Sequence, residues 1–466
     1  MQNLTMDRRI YRLFNIFATI FIIIILRHAY LAIVKSDELS NSQTNRRWIY
    51  IEENSPRGSI LDRSGVKLAY TENKTRHYIP YVSSIVGYQD IKFGRAGLER
   101  DFHHELSGAN TQFNLQELQR ILANKERRGN DIRLTLDYKL QKKASEALKG
   151  KTGAVALLDP KTGEILALAS SPTFNFETDD LENLQKRDDG VLLNRAINYI
   201  YPPGSSAKIL TAVAALKNDI PVSTIYHCEG VTVFNKIRIT DYRKSSHGDI
   251  DMRDAFKKSC NLYFGATAID IGSDSLLRSA DDLMFGHDIR DNYTDKRVMP
   301  RAATSNLSKQ GAAIEDGDLA QIGYGQGTFV TTPFQMALLA GAVANDGIIM
   351  KPYLVKSQID EDIETLLFKE GALNRSMPVE VAKKVQDMMW AVVNEGGTGT
   401  AARTKGLKIY GKTGTAEHGN GADHGWFVGY AVNGQDKKIA FAIIIENGGG
   451  GGSAAAPLVS KILSGF

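Results

Sequence analysis

The chain has 466 residues, of which 42% are hydrophobic and 24% charged, a composition typical of folded domains. Its 57 basic and 53 acidic residues leave a formal charge of +4, which argues against a nucleic acid or another polyanion as a partner. Two cysteines, Cys228 and Cys260, are too few for a disulfide framework or a structural zinc site. We expect two separate buried thiols, with one bridge as the alternative, and no metal or cofactor.

The first strong pattern along the chain is an apolar run from Leu13 to Leu26, interrupted only by two mildly polar residues. Counted on to Val34, the run is long enough to cross a bilayer. Arginines within residues 8–12 precede it, so the positive-inside rule places the first 12 residues in the cytoplasm. A cleavable signal peptide is the alternative, but no convincing small-residue cleavage site follows. We therefore expect a single transmembrane anchor over residues 13–34, with everything after it outside.

Residues 35–132 indicate a juxtamembrane linker followed by a small pedestal domain. The segment 35–56 is polar, with one short strand expected around Trp48 to Ile51. From Arg57 to Asp131 short strand and helix signals alternate and are broken by glycines. This pattern predicts a compact domain of mixed structure.

The remaining residues, 133–466, carry β hairpins at both ends and helical patterns between them. The two hairpins and three clearest helices are Ala154–Asp159 with Glu164–Ala169, Trp426–Val432 with Lys438–Glu446, Asp137–Lys149, Pro333–Asn345 and Leu458–Leu463. Strands at both ends with helices between them predict an α+β domain whose antiparallel sheet joins the N- and C-terminal segments.

Serine followed by lysine three residues later occurs twice, at Ser64–Lys67 and Ser205–Lys208. On a helix the two side chains share a face, so a neutral lysine amine can take the serine proton. Ser64 lies in a glycine-containing turn, whereas Ser205 follows Tyr201-Pro-Pro-Gly and opens an apolar helical run. A serine at a helix start also meets the positive end of the helix dipole. Context therefore favours Ser205 as a nucleophile over a simple helix cap.

Two further motifs follow in the same order along the chain. Ser-x-Asn occurs at Ser259-Cys260-Asn261, with a hydroxyl to relay a proton and an amide to hold a peptide. Lys-Thr-Gly occurs three times, but only Lys412-Thr413-Gly414 lies beyond Ser-x-Asn and directly before the last hairpin. Its glycine lets a substrate backbone approach the strand edge, and its lysine and threonines suit a carboxylate.

Ser-x-x-K, Ser-x-Asn and Lys-Thr-Gly in this order resemble the penicillin-recognising serine acyltransferases. Further segments resemble landmarks of class B penicillin-binding proteins: Arg57–Gly65, Gly97-Leu98-Glu99, Asp159–Ile165, Tyr324–Gly327 and Trp426–Tyr430. The resemblance covers roughly residues 50–466. It implies the fold of that family, with a dimerisation-like pedestal over 35–132 and a transpeptidase domain over 133–466.

The resemblance also implies the catalytic roles. Ser205 would attack the penultimate D-alanine carbonyl of a stem peptide, and Lys208 would act as its base. Ser259 and Lys412 would relay the proton to the leaving amine.

Substrate binding follows from the same resemblance. Asn261 would orient the substrate and Lys208, while Thr413 and Thr415 would bind the substrate carboxylate beside Gly414. Backbone N–H groups of Ser205 and Thr415 would form the oxyanion hole.

The implied activity is peptidoglycan D,D-transpeptidation, with stem peptides as substrates and β-lactams as inhibitors that acylate the same serine. The implied partner is a polytopic glycan polymerase in the same membrane. Three alternatives stay open: a D,D-carboxypeptidase, a β-lactamase or β-lactam sensor of the same fold, and a non-catalytic scaffold that activates the polymerase.

Overall fold

The computed structural model describes residues 2–33, 35, 56–90, 92–108, 128–308, 314–417, 419 and 421–466. The strand expected around Trp48 to Ile51 lies outside the described residues, together with most of the expected linker.

The chain begins with a long helix, α1 (Gln2–Ile33). Its apolar part, Ile10–Leu31, spans 22 residues with a mean hydropathy of 1.9, and none of it is buried against the rest of the protein. Large apolar side chains along α1 are exposed, with Phe14 at 67% and Phe21 at 65%. A contiguous apolar surface of this length matches the hydrocarbon of a bilayer. Among the described residues no other helix is both long and apolar enough to cross a membrane.

Two sets of elements build the rest of the described chain. The helices are α2 (Ser83–Val86), α3 (Gly97–Asp101), α4 (His103–Ser107), α5 (Tyr138–Ala147), α6 (Leu181–Gln185), α7 (Arg195–Asn198), α8 (Lys208–Lys217), α9 (Met252–Lys258), α10 (Asn261–Asp282), α11 (Asp316–Tyr324), α12 (Pro333–Ala344), α13 (Val379–Asn394), α14 (Gly451–Ala454) and α15 (Leu458–Leu463). The strands are β1 (Ile60–Leu61), β2 (Lys67–Glu72), β3 (Thr75–Tyr78), β4 (Gln89–Asp90), β5 (Gly94–Arg95), β6 (Asp131–Leu134), β7 (Gly153–Leu158), β8 (Ile165–Ser171), β9 (Tyr226–Cys228), β10 (Val231–Phe234), β11 (Ile237–Thr240), β12 (Gly248–Ile250), β13 (Ile348–Met350), β14 (Val355–Asp360), β15 (Ile363–Leu366), β16 (Ala372–Arg375), β17 (Lys408–Ala416), β18 (His424–Val432) and β19 (Lys438–Ile445).

The central sheet has five antiparallel strands in the order β17-β18-β19-β7-β8. It therefore joins the first hairpin of the catalytic region to the last one, as the sequence pattern predicts. Both faces of the sheet are buried. Trp426 and Val428 pack into one hydrophobic cluster, and the alternating Phe427 packs into another with α5 and α15. This two-sided burial explains why β18 and β19 are almost continuously apolar.

Helices cover the first face of this sheet and carry the catalytic motifs. Apolar side chains of α12 fill the space against the sheet, and every residue of α12 is buried. Thr332 caps α12 by accepting a hydrogen bond from the backbone N–H of Gln335, as its sequence predicts. The helix that follows Ser205, α8, is buried along nearly all its length. A buried helix cannot tilt freely, so the residues at its N-terminus are held in place.

A second sheet connects the pedestal to the catalytic region, in the order β15-β14-β6-β1-β2-β3. The expected domain boundary at residue 132 falls inside β6, which pairs with β1 on one side and with β14 on the other. An ion pair between Arg63 and Glu164, 2.8 Å long, joins the same two regions. Strands from both regions thus share one hydrogen-bonded sheet.

Candidate active site

The segment before Ser205 is held tightly against strand β17. Ser205 lies in a 3-10 turn, Gly204–Ala207, that leads directly into α8. Gly204 has a φ of +53°, and a Cβ there would lie 2.3 Å from the carbonyl oxygen of Thr415. Only glycine fits such an approach. The indole of Trp426 also donates a 3.0 Å hydrogen bond to the Pro202 carbonyl, so the turn has little freedom to move.

Lys208 is fully buried, and its amine contacts the Ser205 hydroxyl. The Nζ atom lies 2.8 Å from Ser205 Oγ, 2.8 Å from the Ser259 carbonyl and 2.7 Å from Asn261 Oδ1. The last two atoms are acceptors only, so they take two N–H bonds of the amine. In a neutral amine the remaining lone pair then faces the Ser205 hydroxyl proton. The arrangement suits a general base.

Ser259 connects the two lysines. It lies between α9 and α10 in the left-handed conformation, with a φ of +67°. Its Oγ accepts a 2.8 Å hydrogen bond from Lys412 Nζ and lies 3.3 Å from Lys208 Nζ. A left-handed backbone is costly for serine, and such strain persists only where the surrounding structure enforces it. One hydroxyl thus touches both amines.

Burial lowers the pKa of both lysines. Burial brings the pKa of Lys208 down to about 8, although Asp241 and Cys260 act in the opposite direction. For Lys412, burial and then the nearby Lys208 hold the pKa well below its usual value. Two buried amines that share a hydroxyl disfavour a double positive charge. A deprotonated amine is therefore accessible near neutral pH, as base catalysis requires.

Strand β17 forms one edge of the central sheet and carries Lys412, Thr413, Gly414 and Thr415. A Cβ on Gly414 would lie 2.7 Å from the Pro203 carbonyl, so this glycine lets the nucleophile's turn pack against the strand. Thr413 Oγ1 lies 2.5 Å from the hydroxyl of Thr398, which is exposed. Sequence reasoning missed Thr398, because no motif signals a threonine 14 residues before Lys412.

Directly behind Ser-x-Asn, four polar side chains converge: Cys228, Asp241, His247 and Cys260. Asp241 Oδ2 lies 3.1 Å from each sulfur and 3.2 Å from His247 Nδ1. The two sulfurs lie 3.4 Å apart, and both thiols are free. The expectation of two buried thiols rather than a bridge is confirmed, although the sulfurs lie close together because β9 and the start of α10 meet at this point.

This cluster fits a tetrahedral metal ion. Bonds of about 2.0–2.3 Å place neighbouring zinc ligands roughly 3.3–3.8 Å apart. Five separations between the ligand atoms of this cluster, from 3.1 to 3.4 Å, are close to that range. Two thiols, an imidazole and a carboxylate are also ligands that Zn²⁺ accepts. From the sequence, a metal site was excluded because two cysteines are too few to form one. In the structure, Asp241 and His247 provide the two further ligands.

Two histidines, His418 and His424, follow Lys-Thr-Gly in the sequence, a pattern that by itself predicts loop positions rather than metal ligands. His418 lies outside the described residues. His424 is instead the first residue of β18 and is mostly buried. Its Nδ1 accepts a 3.1 Å hydrogen bond from the Asn447 backbone, and its ring packs edge-on against Tyr201. His424 thus supports the segment that leads to Ser205.

Comparison with protein families gives two matches that together cover most of the chain. Residues 153–464 match the penicillin binding protein transpeptidase domain, and residues 57–132 match the penicillin binding protein A dimerisation domain. Peptidoglycan D,D-transpeptidase PbpA of Mycolicibacterium smegmatis is 30% identical over 462 residues, which cover 92% of this chain and 91% of the relative. Peptidoglycan D,D-transpeptidase MrdA of Acinetobacter baumannii is 32% identical, over 76% of this chain and 57% of its own length.

Solved structures agree with these relatives. Penicillin-binding protein A of M. tuberculosis, as a ceftriaxone acyl-enzyme complex, superposes with a TM-score of 0.79 at 26% identity, covering 88% of this chain and 98% of that one. A D,D-transpeptidase domain from Eggerthella lenta gives a TM-score of 0.76 at 30% identity, covering 88% and 97%. The family match, the full-length relative and the shared fold agree with the order of the three motifs. The chain belongs to the penicillin-binding protein transpeptidase family.

Proposed function

We propose that this protein is a peptidoglycan D,D-transpeptidase that cross-links stem peptides through an acyl-enzyme on Ser205. One observation carries the assignment of the residues: Ser205 Oγ lies 2.8 Å from the buried amine of Lys208, and Ser259 Oγ lies within 3.3 Å of both lysine amines. Side chains more than two hundred positions apart thus surround a single reactive oxygen. The relatives named as peptidoglycan D,D-transpeptidases support the same activity.

In the first half-reaction Ser205 Oγ attacks the carbonyl carbon of the penultimate D-alanine, and its proton passes to Lys208 Nζ. Backbone N–H groups of Ser205 and Thr415 stabilise the oxyanion. The bond to the terminal D-alanine nitrogen then breaks. The proton held by Lys208 reaches that nitrogen through Ser259 Oγ, 3.3 Å away, with the Lys412 amine stabilising the hydroxyl.

In the second half-reaction an amine of another stem peptide attacks the acyl carbon. The proton of the attacking nitrogen passes through Ser259 Oγ to Lys208 Nζ. Lys208 then returns a proton to Ser205 Oγ as the bond between Ser205 and the acyl group breaks. Thr413 and Thr415 bind the donor's terminal carboxylate before it leaves with D-alanine in the first half-reaction, and Asn261 holds the donor backbone and Lys208 throughout. A β-lactam follows the first half-reaction alone and leaves Ser205 acylated. A ceftriaxone acyl-enzyme complex is the solved state of one structural neighbour.

Product analysis separates this function from its alternatives. The full-length protein in detergent is incubated with a donor peptide ending in D-Ala-D-Ala and a stem-peptide amine acceptor. We expect mass spectrometry to find the cross-linked peptide and released D-alanine. A product that is only the shortened donor would identify a carboxypeptidase. Rapid penicillin hydrolysis would identify a β-lactamase. If neither peptide nor penicillin is turned over, the non-catalytic scaffold is the function that remains.

We further propose that α1 spans the cytoplasmic membrane once and leaves the catalytic domain outside, where it works beside a polytopic glycan polymerase. The apolar, exposed surface of α1 supports the anchor. Arginines before the apolar run support the orientation. Digestion of the catalytic domain by protease added outside spheroplasts tests the topology. Co-purification of a polymerase from detergent extracts tests the partner.

A metal ion held by Cys228, Asp241, His247 and Cys260 is also part of the proposed function. The ion would supply a structural cross-link rather than chemistry at the substrate. Cys260 lies between Ser259 and Asn261, so this cross-link would hold Ser-x-Asn in place. Asp241 already bonds to the Asn261 backbone N–H in the described structure.

Metal analysis of the purified full-length protein tests this assignment. We expect about one equivalent of zinc in the wild type and less than about a tenth of that in Cys228→Ala. Cys228 touches none of the lysines, so the variant tests the cluster without altering the reacting groups. A wild type purified without chelators that holds no metal would refute the site.

A further inference from the structure

The turn formed by Tyr242, Arg243 and Lys244 follows directly on two residues that contact Asn261 of the Ser-x-Asn motif. Arg243 and Lys244 both adopt the left-handed conformation, each with a φ of +55°. This conformation is uncommon for residues with a Cβ. The turn is held by a 2.8 Å hydrogen bond from the Lys244 N–H to the Asp241 carbonyl. Gly230 packs beneath it, since a Cβ there would lie 2.6 Å from the Lys244 carbonyl.

The turn is tied directly to the catalytic motif. Asn261 donates a 2.9 Å hydrogen bond from Nδ2 to the carbonyl of Thr240, and its backbone N–H bonds to the Asp241 carboxylate. The oxygen of the same Asn261 amide accepts from Lys208. Tyr242 thus directly follows Asp241, whose carboxylate contacts the backbone of Asn261.

What the turn presents to solvent is aromatic and basic. The Tyr242 side chain is 72% exposed, far more than most aromatic residues of this protein. The guanidinium of Arg243 lies over its ring at 5.1 Å, and Lys244 is exposed beside it. The turn thus presents an exposed tyrosine next to two cations whose backbone is left-handed. Strained residues held by their surroundings cluster at ligand-binding sites.

We propose that Tyr242, Arg243 and Lys244 form the docking surface for the acceptor stem peptide. This inference rests on the proposed transpeptidase function. The attacking nitrogen must occupy the place that the leaving nitrogen vacated beside Ser259. The acceptor therefore enters at the Ser-x-Asn end, past this turn. Stem peptides carry free carboxylates, which complement the two cations, while the tyrosine ring packs on the peptide. The donor's carboxylate is bound elsewhere, at Thr413 and Thr415.

Kinetics with a fixed donor and a varied acceptor test the proposal. The donor is a D-alanyl thioester, and the acceptors are a carboxylate-bearing stem tetrapeptide and, for comparison, free D-alanine. The variants are Tyr242→Ala and the double change Arg243→Asn with Lys244→Asn, since asparagine tolerates the left-handed backbone. Lys437→Asn is the matched control, because Lys437 is an exposed lysine in the distant β18–β19 turn.

We expect the KM of the tetrapeptide to rise about fivefold in the double variant, with the KM of D-alanine and the rate of penicillin acylation unchanged. The increase should shrink at high salt, which screens exposed charges. An unchanged tetrapeptide KM would overturn the proposal. An equal loss in penicillin acylation would also overturn it, because it would indicate a structural or donor role. A wild type that transfers to neither acceptor would instead refute the proposed function.

Discussion

Ser205→Ala is expected to abolish covalent labelling by a fluorescent penicillin, with a loss of at least about a thousandfold. The variant removes the oxygen that forms the acyl bond, and within the described part of the chain Ser259 has the one other hydroxyl that contacts the Lys208 amine. Ser259 Oγ is already bonded to Lys412, and its backbone is fixed in the left-handed conformation. We therefore do not expect it to replace the nucleophile.

Ser64→Ala is the matched control for this loss. Ser64 and Lys67 form the other Ser-x-x-K sequence, but Ser64 is exposed and its hydroxyl bonds to the Asp62 carboxylate. Labelling of this variant should equal that of the wild type. Persistent labelling of Ser205→Ala, at a site mapped by peptide analysis, would disprove the nucleophile assignment.

The contrast between these serines shows how much of the site the sequence could predict. Motif order and context were enough to predict that Ser205, Ser259 and Lys412 would lie together, and the structure brings their side chains into contact through Lys208. The left-handed backbone of Ser259 was not predictable, since serine has no preference for it. The metal-type cluster was missed because it depends on long-range pairing: the β9–β12 pairing brings His247 to Cys228, and Asp241 is placed by the hydrogen bond from its backbone N–H to the Gly230 carbonyl.

The fold also divides into elements that local sequence predicts and elements that only long-range pairing determines. Hairpins β7–β8 and β18–β19 were predicted well, because both carry long apolar runs with turn residues between them. The sheet that joins pedestal and catalytic region was not. Its strand β1 has two residues, and β6 pairs with β14 from more than two hundred positions away. Such short strands are stabilised by long-range pairing and not by local propensity.

Glu99→Gln is expected to destabilise the pedestal by about 3–5 kcal/mol. The Glu99 side chain is completely buried and pairs with Arg57 at 2.6 Å and with Arg76 at 2.7 Å, both of them nearly buried. Glutamine keeps the shape but leaves two buried guanidinium groups without a counter-charge. Proteolysis within residues 57–132 at increasing urea measures the change, while penicillin labelling follows the catalytic domain separately.

Glu182→Gln provides the control, because Glu182 pairs with Lys92 at a similar 2.6 Å but both side chains are about half exposed or more. We expect a change of about 1 kcal/mol or less there. Burial alone would raise the pKa of Glu99, but Arg57 and Arg76 outweigh it and hold the pKa below its usual 4.5. The wild-type advantage is therefore complete above pH 4.5 and disappears as the pH falls through the lowered pKa. Equal urea midpoints for wild type and Glu99→Gln at pH 7 would show that this buried carboxylate does not stabilise the pedestal.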